Sequence, residues 1–281
     1  MNNLRLRLFI LTACLFSSAG CSKGVLPPTG GGPGLPAPPG ASGGDVISTF
    51  SLVGHTNAGR RKWEVQGETA GLMSETVALS PVRAIAYGQV EIHLSAQKGH
   101  FNKSTQNVHL EGDVVATTSD GAELTTQSLS WVQESGQGST DDWVRVTRPG
   151  MVALGLGGTG TPKLKRVWLE KQVTLTLEDP KGKTVITCDG PMEVDYGRHK
   201  ARFWKRVKVV DSKGVIRSDR LDVAFDPKGS RMEKAVFWGH VEIDRGDQLA
   251  HANRVNYWQP LGQIQLVGHP RMVLSSKSLN E

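Results

Sequence analysis

In the C-terminal part of the chain one strand pattern recurs at a fixed interval, and nothing else in the sequence narrows the fold so far. Val207 and Val241 lie in the matching segments FWKRVKVV and FWGHVEID, and Leu221 and Val255 centre SDRLDVAFD and ANRVNYWQ. Both pairs are 34 residues apart (241 − 207 and 255 − 221). An earlier copy reads GDVVATTSDGAELTTQSLSWVQ, with Val114 and Leu129 in corresponding places. A strand–turn–strand unit of this length cannot bury its apolar face alone, so it stacks on its neighbours. The chain is therefore a stack of β-hairpins, and its function lies in the surface or groove that the stack makes.

Beyond residue 46 the alternation has period two and no helical period appears. Val90, Ile92, Leu94 and Ala96 face one way, and Glu91, His93 and Ser95 the other. Val167, Leu169, Val173, Leu175 and Leu177 repeat the pattern with Lys171 interrupting it, and Met192, Val194 and Tyr196 do so again. Turn residues separate the strands, as in Asp120-Gly121, Ser212-Lys213-Gly214 and Arg245-Gly246-Asp247. The expected architecture is all-β and antiparallel, two sheets facing each other across an apolar interior. The glycine-rich run 155–162 is the expected joint between two halves.

The N-terminus reads as an export signal. Arg5 and Arg7 precede an apolar run over residues 8–16, followed by SSAGC ending at Cys21. The run is too short to span a bilayer. Small residues directly before Cys21 resemble a bacterial lipoprotein signal (residues 1–21), in which Cys21 becomes the acylated first residue of the mature chain. Residues 22–45 form a Gly/Pro tether that would hold a folded domain off a membrane surface. An ordinary cleaved signal, or a short uncleaved anchor, is the plainer alternative.

Cysteine usage and charge exclude several function classes. If Cys14 leaves with the signal and Cys21 carries lipid, only Cys188 remains and no intramolecular disulfide forms. Cys188 reads as a small buried hydrophobe. The formal charge of +6 falls to +4 without Arg5 and Arg7 (6 − 2), which suits an anionic surface or solubility alone. The leader argues against nucleic acid as a partner. His93, His109, His240 and His251 read as outward strand residues, and no metal or cofactor is expected. Asp141 and Asp142 would face opposite ways in a strand and read as part of a polar loop, GQGSTDD. GLGGTG lacks the lysine and following helix of a phosphate loop. No catalytic constellation emerges, so the chain is not read as an enzyme.

The segments WEVQGETA and LSAQKGHFNKSTQNVHLEGDVVATTSDGAELTTQSLSW, with VTRPGMVALGLGGTGTPKLKRVWLEKQV after them, resemble the periplasmic LptC family of lipopolysaccharide export. From Cys188 onward, CDGPMEVDYGRHKARFWKRVKVVDSKGVIRSDRLDVAFD and GHVEIDRGDQLAHANRVNYWQPLGQIQLVGHPRMVL resemble the related LptA, or OstA-like, domain. The resemblance implies an open antiparallel β-jellyroll of stacked hairpins in two consecutive segments, 46–178 and 179–276, after a disordered tether. It also implies a membrane-tethered periplasmic bridge whose groove holds lipopolysaccharide, or a similar glycolipid, by its acyl chains. Partner jellyrolls would add at the sheet edges, the C-terminal one being IQLVGHPRMVL. LptC members commonly carry a transmembrane helix, whereas this chain has a lipoprotein-like signal. The anchoring membrane stays open between inner and outer.

Two sets of residues are the candidate site. Val90, Ile92, Leu94, Leu110, Val207, Val223 and Val241 are expected to face inward and line a groove. Arg198, Lys200, Arg202, Arg206 and Lys208 are all even-numbered within one expected strand, so they share a face about 33 Å long at roughly 3.3 Å per residue. They are anionic head-group candidates or simply a solvated face. A three-residue turn at 212–214 would pair Phe203 with Val223 and Ala201 with Phe225, setting Lys200 beside Asp226 and Trp204 beside Asp222. The rival to transport is a structural envelope lipoprotein, with a closed β core and no lipid cargo. An open apolar trough favours the first and a sealed core the second.

Overall fold

The computed structural model describes residues 46–55, 58–71, 75–87, 91–161, 166–179, 182–226, 232–246 and 248–274. The signal, Cys21, the tether and Val90 lie outside them. The N-terminal part comprises β1 (Val46–His55), β2 (Arg61–Gly71), β3 (Thr76–Ala86), β4 (Ile92–Ala96), β5 (Lys98–Asn102), β6 (Val108–Thr118), β7 (Glu123–Val132), β8 (Gln137–Arg148) and β9 (Met151–Thr161). There follow β10 (Arg166–Asp179), β11 (Gly182–Cys188), β12 (Met192–Asp195), β13 (Lys200–Asp211), β14 (Gly214–Phe225), β15 (Met232–Asp244), β16 (Gln248–Trp258), β17 (Gln263–Val267) and β18 (Arg271–Leu274). All belong to one antiparallel 18-stranded sheet, and no helix occurs among the described residues.

Successive strands pair antiparallel, as a stack of hairpins requires, except within three broken strands. Three strand pairs share a place in that order: β4 and β5 both lie between β3 and β6, β11 and β12 both lie between β10 and β13, and β17 and β18 both pair with β16. Each such pair is one strand broken where the whole sheet bends. Unbroken strands take the bend as a bulge, with register shifts at Glu111/Val114, Lys171/Thr174, Trp204/Val207 and Trp238/Val241. A bulge adds a residue to one strand, bends it and raises the local twist. Repeated strand after strand, it folds the sheet into two arms with their apolar faces together. One buried cluster accordingly draws Leu169, Met192 and Phe203 from one arm and Val173, Ile186, Val207 and Val241 from the other. The lysine that interrupts the alternation of β10 sits at this bend.

Three expectations change. The run 155–162 is no slack joint: residues up to Thr161 belong to β9, which pairs with both β8 and β10. Its glycines serve close packing instead, since a Cβ on Gly155 would stand 3.0 Å from the Leu169 Cβ. Asp141 and Asp142 belong to β8 rather than to a loop, and Ser128 donates to Asp142 Oδ2 at 2.6 Å. The β13–β14 register also differs: Phe203 pairs with Leu221, Ala201 with Val223 and Lys200 with Ala224. The turn is shorter than expected, with Asp211 opposite Gly214, and the bulge at residues 205–206 adds one more step of slip.

Candidate functional site

Cross-strand pairing resolves the inner face into rows. On the arm reached after the bend of β13, Val65, Ala84, Leu94, Ala116, Leu124, Val146 and Ala153 are successive partners across the N-terminal strands. The row continues without interruption through Leu175, Ile186, Val209, Ile216, Ile243, Ala250 and Met272. At roughly 4.8 Å per strand it runs on the order of 60 Å. The facing arm carries a second row, from Val77 through Phe101, Val108, Trp131, Gly138, Gly160, Val167 and Val194 to Ala201, Val223, Ala235, Tyr257 and Ile264. The only polar side-chain atoms in the two rows are the Tyr257 hydroxyl and the Trp131 indole N–H, the latter donating to Gln133 at 3.1 Å.

Burial grades from the bend outward. Beside the bend, Val114, Val173, Val207 and Val241 are 0–1% exposed, so the apex between the arms is filled. Further out, Val65, Leu94, Leu124, Val146, Leu175, Val209 and Ile216 are only half-buried. The apolar interior is therefore sealed at its apex and partly accessible along both rows, the second including the half-buried Phe101, Val108, Val167, Val194 and Tyr257. Of the groove candidates, Leu94 and Val223 lie on the two rows. Ile92 lies two residues beyond Leu94 along β4, and Leu110, Val207 and Val241 sit in the sealed zone.

The basic residues do not form one free stripe. Arg198 lies in the turn before β13, and the bend separates Lys200 and Arg202 from Lys208. Glu193 and Asp195 of β12, each 6% exposed, take up much of the charge. Arg202 reaches Glu193 at 3.1 Å, while Arg166 and Arg198 reach Asp195 at 3.2 and 3.9 Å. Arg206 pairs with Asp189. Lys200 and Lys208 have no ion-pair partner among the described residues.

The outer face holds a constellation that single-sequence reasoning missed. Trp168 and Trp204 stack at 5.7 Å with planes 5° apart. Arg220 covers Trp204, and Arg254 covers Trp238. Asp222 holds Arg220 through two hydrogen bonds of 2.8 Å and accepts a third from Trp238 Nε1 at 3.1 Å. The 34-residue spacing of Trp204/Trp238 and of Arg220/Arg254 was the available signal. Elsewhere, His109 contacts Glu111 and Ser130, and His240 contacts Asp219. No group of three or more His, Cys, Asp or Glu residues is placed to hold a metal among the described residues. Cys188 is buried within the apolar cluster, and that burial pushes its thiol pKa up.

Both sheet edges are open among the described residues. β1 pairs only with β2, and β17 and β18 only with β16. The C-terminal edge is apolar, with Ile264 40%, Met272 57%, Val273 55% and Leu274 48% exposed.

With this geometry in view, the family comparisons divide the chain. Residues 56–178 match the family of LptC-related lipopolysaccharide-assembly proteins. Residues 190–280 match the LptA/LptD N-terminal family of lipopolysaccharide transport proteins. The chain joins an LptC-like domain to an LptA-like one. Both are periplasmic envelope families that serve as transport bridges, not as catalysts. Their jellyroll architecture agrees with the folded sheet seen here. No curated protein matches the chain.

Proposed function

We propose that the chain is a tethered segment of a lipopolysaccharide bridge, in which acyl chains lie against the half-buried row from Val65 to Met272. The observation that carries this reading is the continuity of that row across both matched regions, from one side of the sheet to the other. Each methylene withdrawn from water contributes about 0.8 kcal/mol, so a few half-exposed leucines and valines side by side suffice to hold a chain without a deep cavity. Two consecutive units, 46–178 and 179–276, would pass the lipid along within one polypeptide. Cys21 would carry the lipid anchor and residues 22–45 would be the tether. Lys200 and Lys208 are the cations of the original set left to meet anionic head groups. The open strands β1 and β18 would accept partner jellyrolls through their unpaired N–H and C=O groups.

Replacing Leu94 or Ile216 with Asp puts a charge on the row at half-buried positions. Lipopolysaccharide arrival at the cell surface should fall sharply while the purified variants keep the wild-type melting profile. Arg217→Asp, on the outer face beside Ile216, is the control and should export normally. Normal export by both row variants would refute the reading. For the anchor, Cys21→Ser should lose acyl labelling and appear in the soluble periplasmic fraction; unchanged labelling removes that part alone. The sealed apex favours the structural-lipoprotein reading, which expects the row variants to export normally and any loss to follow unfolding.

A further inference from the structure

The bends of β6, of β15 and between β17 and β18 use one backbone device: two consecutive residues of positive φ, the first a glycine. The angles are 78° and 46° at Gly112 and Asp113, 71° and 43° at Gly239 and His240, and 78° and 51° at Gly268 and His269. β13 bends in the same way, at 64° and 50°, but its residues are Lys205 and Arg206. The repeat aligns the exchange directly, FWKRV against FWGHV, with Lys205 in the place of Gly239. At the other three bends glycine is enforced by neighbours, because a Cβ would run into Gln97, Asp219 or Asn253. At β13 the N–H of Asp189 donates to the Lys205 carbonyl at 2.9 Å, as those of Gln97 and Asn253 do to Gly112 and Gly268, but the Asp189 carboxylate is turned to Arg206. Lys205 thus holds a left-handed conformation that costs a residue with a Cβ and costs glycine almost nothing. A strained side chain kept on a surface points to a use for that side chain.

Lys205 and Arg206 border an outer hollow of about 540 Å³, with Pro191, Trp204, Asp219 and Arg220 as its other walls. Two of its cations are already paired, Arg206 with Asp189 and Arg220 with Asp222, while the Asp219 carboxylate contacts the His240 ring. The Lys205 ammonium has no acidic partner among the described residues, so the hollow presents one free cation together with the Asp219 carboxylate. The Arg220 guanidinium over the Trp204 ring and the Asp219 carboxylate line the same hollow. A bare anion would gain from the lysine but be repelled by Asp219. A hydroxylated ring bearing one acid group uses every element: acid group to cation, hydroxyls to donor and acceptor, ring carbons to the indole.

We propose that this hollow binds an acidic saccharide, with its phosphate or carboxylate on Lys205 and Arg206. The site lies on the outside of the bend, away from the inner rows, and does not depend on the lipid-transport reading. Ligand-observed NMR titrations of the full-length protein with glucosamine 6-phosphate, N-acetylmuramic acid and neutral N-acetylglucosamine test it. At least one acidic sugar should bind, and the neutral one at least about tenfold more weakly, as expected for loss of one charge-assisted hydrogen bond. Binding of only the phosphate or only the carboxylate sugar supports the site and assigns its source. Lys205→Gly should weaken the acidic sugar by a similar factor while keeping or raising Tm, because glycine suits the bend. Lys205→Gln should lose binding with no change in Tm. Absence of binding by both acidic sugars, equal binding of the neutral sugar, or full affinity in either lysine variant would overturn the proposal.

Discussion

The guanidinium carbon of Arg220 lies 5.6 Å from the centre of the Trp204 ring, and 34 residues later Arg254 repeats the contact on Trp238 at 5.1 Å. Trp168 extends the stack on the far side of Trp204. These side chains tie β10, β13, β14, β15 and β16 together on the face that does not enter the interior. Each cation–π contact at a partly exposed site contributes about 0.5–1 kcal/mol. A double-mutant cycle on Trp204→Ala and Arg220→Ala, read by urea unfolding, should give a coupling energy of that size. A coupling indistinguishable from zero would make the stack incidental to stability.

The bends make a second, sharper expectation. A Cβ on Gly239 would collide with Asp219 Oδ2 in a backbone of φ 71°, whereas Gly246 has φ 72° and no atom within 4 Å of the added carbon. Gly246→Ala should therefore cost only the left-handed backbone term, about 1–2 kcal/mol. Gly239→Ala adds overpacking, for a total of about 2–5 kcal/mol. Equal Tm losses in the two variants would show that Asp219 moves aside freely.

Much of the fold was legible because hairpin stacking leaves a period in the sequence, and the inward faces of β4, β10 and β13 followed from alternation. Lys171 even marked its bend, although it read as an interruption. The alignment of strands was not legible, since a bulge such as that at Lys205 and Arg206 shifts the partner by one residue without altering the alternation around it. That slip, added to a turn one residue shorter than expected, is why Phe203 pairs with Leu221 rather than Val223. The basic residues were misjudged for a related reason. Glu193 and Asp195, which hold Arg202 and Arg198, belong to the preceding strand, and only the register brings them alongside. The continuous rows could not be drawn until every partner was known.

Cys188 supplies a check on the sealed zone. Burial raises its thiol pKa, so at pH 8 less thiolate is present than for an ordinary cysteine, and the sulfur is also shielded. Iodoacetamide should label it slowly in the native protein and rapidly in denaturant, with the native rate rising as pH approaches the elevated pKa. Equal rates in the two states would mean that the interior around β11 is open.

The C-terminal edge can be tested by shortening. Met272, Val273 and Leu274 are about half exposed or more, so β18 contributes little to the core. Deleting residues 271–281 should leave Tm nearly unchanged but abolish capture of a partner jellyroll in pull-downs. Undiminished capture would remove this edge from the assembly model.

The central claim is that lipid follows the half-buried row across both units. Photoreactive phenylalanine analogues placed in the full-length protein in cells, one at a time at Leu94, Leu124, Leu175, Val209 and Ile216, should each crosslink to lipopolysaccharide. The same probe at the outward positions Arg145, Arg217 and His251 should not. Crosslinks at the outward positions equal to those on the row, or none on the row when the protein is folded and exported, would contradict it.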